Sequence, residues 1–177
     1  MPTYKIHDNG GTPFTVAVNK EDKTVVVTRW TYDIDTDKPV KGPVVLTTGY
    51  EEIWLGRHTL RYDPDHYYHG PGQLGNSILL RMKANTYIWI GWKILQFTLP
   101  SNETVVHFDS PIGNNDVPYP TLFTDRRALL MIEGISLPID VLNPKQDPYA
   151  QYYGHIGPSL KKHATRFRAK VLVPRQF

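Results

Sequence analysis

Two runs, "FTVAVN" and "TVVVTRW", stand on either side of the polar tetrapeptide "KEDK". β-Branched residues in alternation, broken by a short charged turn, predict a β-hairpin. The same grammar recurs along the chain. "SILLRM" and "TYIWIG" flank "KAN", and "WKILQFTL" and "TVVHFD" flank "PSNE", so two more hairpins are predicted. "PVVLTT" and "EEIWLG" surround the turn-prone Gly49, and "RALLMIEG" and "ISLPID" follow a proline-rich corner. Gly56 and Gly91 each follow an Ile-Trp-(Leu or Ile) run, a pattern expected where a strand ends in a bend or bulge. The spacing predicts no long helix, so the expected fold is mainly β. It is one antiparallel sandwich or barrel-like domain over residues 1–147.

The end of the chain changes character. After Asp147 there is no acid, but there are six basic residues: Lys161, Lys162, Arg166, Arg168, Lys170 and Arg175. The last 30 residues carry +6, whereas the first 147 carry −3. Pro158 and Ser159 suit a helix start, and Leu160, Ala164, Phe167 and Val171 then share one face at helical spacing. "PSLKKHATRFRAKVL" is therefore expected to form a short amphipathic helix or arm, with residues 148–177 packed on the β domain. Its charge would face an acidic protein neighbour or nucleic acid.

Composition excludes several kinds of chemistry. The chain has no cysteine, which removes disulfides, thiolate nucleophiles and thiolate metal sites. "YIWIGWKILQF", the most apolar stretch, is too short to span a bilayer, so no membrane span is expected. The N-terminus shows no secretory pattern, and "NET" at Asn102 reads as a turn rather than a glycosylation site.

The chemical motifs fail one by one. "GPGQLG" matches G-x-G-x-x-G at Gly70, Gly72 and Gly75, but a strand rather than a helix is expected after it. "DIDTDKPVKGPV" opens like a calcium loop at Asp33, Asp35 and Asp37. The glycine and glutamate that such a loop requires are here Lys38 and Val44, so a solvated acidic turn is expected instead. Asp63, Asp65, His66 and His69 gather metal-binding groups in one loop, though without a regular spacing that would preform a site. The bland reading is a polar loop whose Tyr62, Tyr67 and Tyr68 pack on the body. No nucleophile elbow surrounds any serine, and the spacing of Asp109, Asp116 and Glu133 favours no carboxylate pair. No catalytic residue, cofactor or metal is therefore assigned.

"SPIGNNDVPYP" combines Pro111, Pro118 and Pro120 with Asn114, Asn115 and Asp116, residues that stiffen a loop and bond to nearby amides. It is expected to be a rigid corner presenting Tyr119, with a binding surface as the alternative.

"IHDNGGTPFTV", "GPGQLGNSILLRMKANTYIWIG", "SPIGNNDVPYP" and "DPYAQYYGH" follow one another across nearly the whole chain. This series resembles a family of uncharacterised proteins from large DNA viruses of algae and protists. The resemblance implies a viral origin and a small β-rich domain, located in the virion or the infected-cell cytoplasm. The expected function is non-enzymatic contact with other viral proteins, as in a minor capsid protein. The candidate interaction residues are Lys161, Lys162, Arg166, Arg168, Lys170, Arg175, Asn114, Asn115, Asp116 and Tyr119. Two alternatives stand: an enzyme with its site in loops 61–76 and 110–120, or a nucleic-acid-binding protein acting through the basic tail.

Overall fold

The computed structural model describes residues 1–8, 11–60, 73–99, 101–102, 104–109, 121–124, 129–131, 138–139, 167–168 and 170–174. They are mainly β and antiparallel. The first sheet is a meander of β1 (Thr3–Asp8), β2 (Gly11–Asn19), β3 (Thr24–Asp33) and β4 (Lys38–Gly49). The second contains β5 (Glu52–Leu60), β6 (Gln73–Arg81), β7 (Thr86–Ile90), β8 (Ile94–Thr98) and, from the end of the chain, β14 (Lys170–Val173). One pairing, His7 with Asn76, joins β1 to β6 and links the two sheets. Asn76 reinforces the joint by donating its side-chain amide to the Lys5 carbonyl at 3.3 Å.

Alternation explains the core. In the first sheet Ile6, Phe14, Val16, Val18, Val25 and Val27 project to one side. They pack with Ile78, Leu80, Ile88, Ile90 and Ile94 of the second. Burying such side chains away from water supplies the main drive for folding, roughly 1.5–3 kcal/mol each. The second sheet is apolar on both faces, and β7 is buried at every position from Tyr87 to Ile90. Its other face carries Leu79, Tyr87, Trp89, Leu95 and Phe97, all buried, and Tyr87 stacks on Phe97 at 5.6 Å between ring centres. This is why "YIWI" reads as a continuous apolar run rather than an alternation. A further sheet of β9 (Val105–Asp109), β10 (Thr121–Thr124) and β11 (Leu129–Met131) sends buried Phe108 against Gly56. Two short strands, β12 (Pro138–Ile139) and β13 (Phe167–Arg168), pair with each other.

The first two expected hairpins are present. In β2–β3, the Asn19 side-chain oxygen accepts from the amides of Glu21 and Asp22 at 3.0 and 3.1 Å, and Lys23 closes the turn with φ 50°. In β6–β7, Ala84 and Asn85 both have positive φ, and the Thr86 amide donates to the Lys83 carbonyl at 3.2 Å. That is a type I′ turn, whose twist matches the flanking strands.

Three expectations are corrected. β8 and β9 do not form a hairpin: β8 lies between β7 and β14, while β9 pairs with β10. Their local patterns were compatible, but the edge of β8 is taken by a segment some 75 residues later, which no local pattern encodes. Gly56 does not end its strand: β5 runs on to Leu60, and the glycine serves to admit the Phe108 ring. Finally, the helical face drawn through Phe167 and Val171 is not formed, because both lie in strands. "KVLV" is short and β-branched, and it finds an open sheet edge with apolar cover, where Leu172 and Val173 pack on the core. Tertiary pairing outweighs the weak helical period. Residues 158–166, the rest of that expected helix, lie outside the described residues.

Candidate functional site

Two surface features stand out, one at each end of β4. The first is a two-stranded ribbon. β2 supports β3 only as far as the pair Phe14–Arg29, since the preceding Pro13 brings no N–H to the ladder. From Trp30 onward β3 has β4 as its sole strand partner among the described residues: Trp30 lies opposite Lys41, Thr31 opposite Val40, Tyr32 opposite Pro39 and Asp33 opposite Lys38. Register shifts between Val27 and Trp30 mark two bulges in β4. At one of them Gly42 lies so close to the Arg29 carbonyl that a Cβ would approach it to 2.9 Å. Bulges bend and twist a strand, so the ribbon is aimed away from the sheet it leaves.

The ribbon has apolar side chains but no core. Ile34 is 86% exposed, Tyr32 57% and Val40 44%; Val44, 56% exposed, lies below the ribbon, opposite Thr28 where β2 still pairs with β3. Trp30 is half-buried and donates its indole N–H to the Thr15 hydroxyl at 2.9 Å, which anchors the ribbon's base. The tip, Ile34–Asp37, is an exposed turn. The Asp33 carboxylate accepts from the Asp35 amide at 2.9 Å, and Asp37 takes φ 55°. The expected solvated acidic turn is thus present, with Ile34 set among three carboxylates. Pro39 and Pro43 lie in the free edge strand beside Lys38 and Lys41. Such residues blunt edge-to-edge pairing, so the ribbon offers faces and a tip rather than a bare edge.

The second feature is a cleft of about 710 Å³ at the other end of β4. The strand path runs from β14 through β8, β7, β6, β1, β2 and β3 to β4, and both terminal strands of that path line this cleft. The two sheets are thus joined at β1–β6 and leave a seam between β4 and β14. Arg29 spans it further along by donating through Nη2 to the Pro174 carbonyl at 2.7 Å. The cleft floor is apolar, with Leu46, Tyr50, Met82, Ile88 and Leu172, and Lys23 and Lys83 stand at its rim. Glu51 also lines it, but Arg81 contacts Glu51 at 2.6 Å and Glu52 at 2.8 Å. The hydrogen bond to Glu52, together with both carboxylates' charge, raises the Arg81 pKa further above its ordinary value, so the guanidinium stays charged. Lys23 and Lys83 have no ion-pair partner among the described residues, which leaves the rim positive.

Asn114, Asn115, Asp116, Tyr119, Lys161, Lys162, Arg166 and Arg175 lie outside the described residues, as do Asp63, Asp65, His66 and His69. The segment 110–120 connects β9 to β10, whose strands pair with Asp109 opposite Thr121. Arg168 lies in β13; Lys170 is exposed in β14, opposite Gln96 of β8. Among the described residues no cluster of His, Asp and Glu is arranged to hold a metal, and no helix is long and apolar enough to cross a membrane. Sequence reasoning finds the acidic turn in "DIDTDKPVKGPV" but misses the two-stranded ribbon that carries it. Its signal was the pair of prolines inside a β run, the mark of an edge strand.

Comparison of the chain with protein-family models, curated proteins and solved structures finds no match.

Proposed function

We propose that this chain is a non-enzymatic binding protein that works by protein–protein contact through the β3–β4 ribbon. The observation that carries this reading is the exposure of Tyr32, Ile34 and Val40 on a ribbon that no third strand supports among the described residues. An isolated two-stranded hairpin is marginal in water, and an apolar surface kept outside the core is a common mark of an interaction site. The fold suits a scaffold: a sandwich with one joined side and one open seam, its second sheet covered on both faces, holds the ribbon on a rigid base.

The setting we propose is a virion, with the chain as a component such as a minor capsid protein meeting other viral proteins. The support for that setting is the resemblance of the four quoted segments to proteins of large DNA viruses. Mass spectrometry of purified virions is expected to detect the polypeptide, and its absence from particles overturns the virion setting. A photo-crosslinking residue at Tyr32, introduced in infected cells, is expected to capture another polypeptide. Recovery of nucleic acid instead, or of no adduct, overturns the contact reading.

A further inference from the structure

We infer that the ribbon tip of one copy docks in the seam cleft of a second copy, so that the chain assembles head to tail. The inference rests on the contact reading above and names the partner. The two surfaces are complementary in shape class and in charge. The tip is a narrow turn that exposes an apolar side chain, Ile34, at 86%, and Ile34 is flanked by Asp33, Asp35 and Asp37, with Lys38 following in the chain. The cleft is concave and apolar, and its rim carries Lys23 and Lys83. Its volume of about 710 Å³ falls in the range that encloses small ligands and clustered side chains. Neither Asp35 nor Asp37 has an ion-pair partner among the described residues, nor do the two rim lysines, while Glu51, the carboxylate that lines the cleft, is held by Arg81, which it shares with Glu52. Opposite charges left unpaired at both ends steer encounter and set orientation.

The geometry makes the contact intermolecular. Tip and cleft lie at opposite ends of β4, and Lys38 and Leu46 are about 25 Å apart at ~3.3 Å per residue. A copy therefore cannot fill its own cleft. Because the two surfaces differ, the contact is heterologous, and repetition builds a ring if the rotation closes or a filament if it does not. The prolines and lysines along β4 favour this mode over edge pairing of two β4 strands.

The test uses two variants of the full chain, both altered at exposed turns and checked for unchanged thermal melting. Ile34→Asp spoils the tip and leaves the cleft intact. Lys23→Glu combined with Lys83→Glu reverses the rim and leaves the tip intact. In sedimentation velocity at low salt, the wild-type chain is expected to form species larger than a dimer as concentration rises, and these are expected to dissociate as salt is added. Each variant alone is expected to remain monomeric. Mixed, the two are expected to form a one-to-one dimer and nothing larger, since only one tip and one cleft remain competent. A wild-type chain that stays monomeric throughout, an Ile34→Asp variant that assembles like wild type, or a mixture that stays monomeric overturns the inference. If the wild-type chain is monomeric while the Tyr32 crosslinker still captures a different protein, head-to-tail assembly fails and the contact reading stands. If neither association occurs, both fail.

Discussion

Gly56 is a residue whose reason is visible only in three dimensions. A Cβ there would lie 2.6 Å from Cε1 of Phe108, a ring that is itself buried. Gly56→Ala must displace that ring or bend β5, and it is expected to cost about 1–3 kcal/mol in chemical denaturation, the usual penalty for overpacking. Beside it, the Ser77 hydroxyl is buried without a hydrogen-bond partner among the described residues. Removing an unsatisfied polar group from such a place is neutral or favourable, so Ser77→Ala is expected to leave stability unchanged or raise it by up to ~1 kcal/mol. Ala84 gives the opposite lesson, since its sequence position signalled the turn but not its strain. Its Cβ sits in the left-handed region at φ 57°, the first central position of a type I′ turn where asparagine is preferred. Ala84→Asn is expected to raise the melting temperature by roughly 2–4 °C for each kcal/mol of strain relieved. A fall on calorimetry would show that the methyl group is needed where it stands.

Among the elements, the ribbon and β14 are expected to behave in opposite ways. The distal ribbon contributes to no core among the described residues, so it can be shortened with little loss. Replacing residues 32–39 by Asn-Gly joins the paired Thr31 and Val40 through a two-residue turn that such strands accept. Urea unfolding of that variant is expected to stay within about 0.5 kcal/mol of wild type, the range of surface changes. The same variant is expected to stay monomeric in sedimentation velocity at low salt, where the full chain assembles. β14, by contrast, covers the edge of β8 and places Leu172 and Val173 on the core. Ending the chain before Lys170 removes those contacts and opens a buried edge. The truncated chain is expected to lose several kcal/mol, of the order of two large core truncations. Equal stability of the truncated and full chains in urea would mean that β14 merely rests on the sheet.

At the scale of the molecule, the basic end of the chain and its last sheet strand share one segment, so deleting it confounds charge with fold. The role of the charge is better read from salt dependence in the intact protein. Duplex binding through phosphates weakens log-linearly with salt, with a slope of about −0.9 per phosphate neutralised. The intact chain is expected to show no submicromolar duplex binding near physiological salt, and tight sequence-independent binding there would favour the nucleic-acid alternative. The sequence by itself determined the β class, the two tight hairpins and the acidic turn, because each of these depends on neighbours a few residues apart. It also carried the two-sided burial of "YIWI" as a continuous apolar run. Only the tertiary structure decided which edges meet. That β14 closes on β8, that Phe108 comes to rest over Gly56, and that β4 and β14 border one cleft all rest on pairings between segments far apart in the chain. Hydrophobic burial is non-directional, so a strand pattern says that a face must be covered without saying by what. Partner choice follows from the joint fit of edges, side-chain volumes and connections across the whole chain.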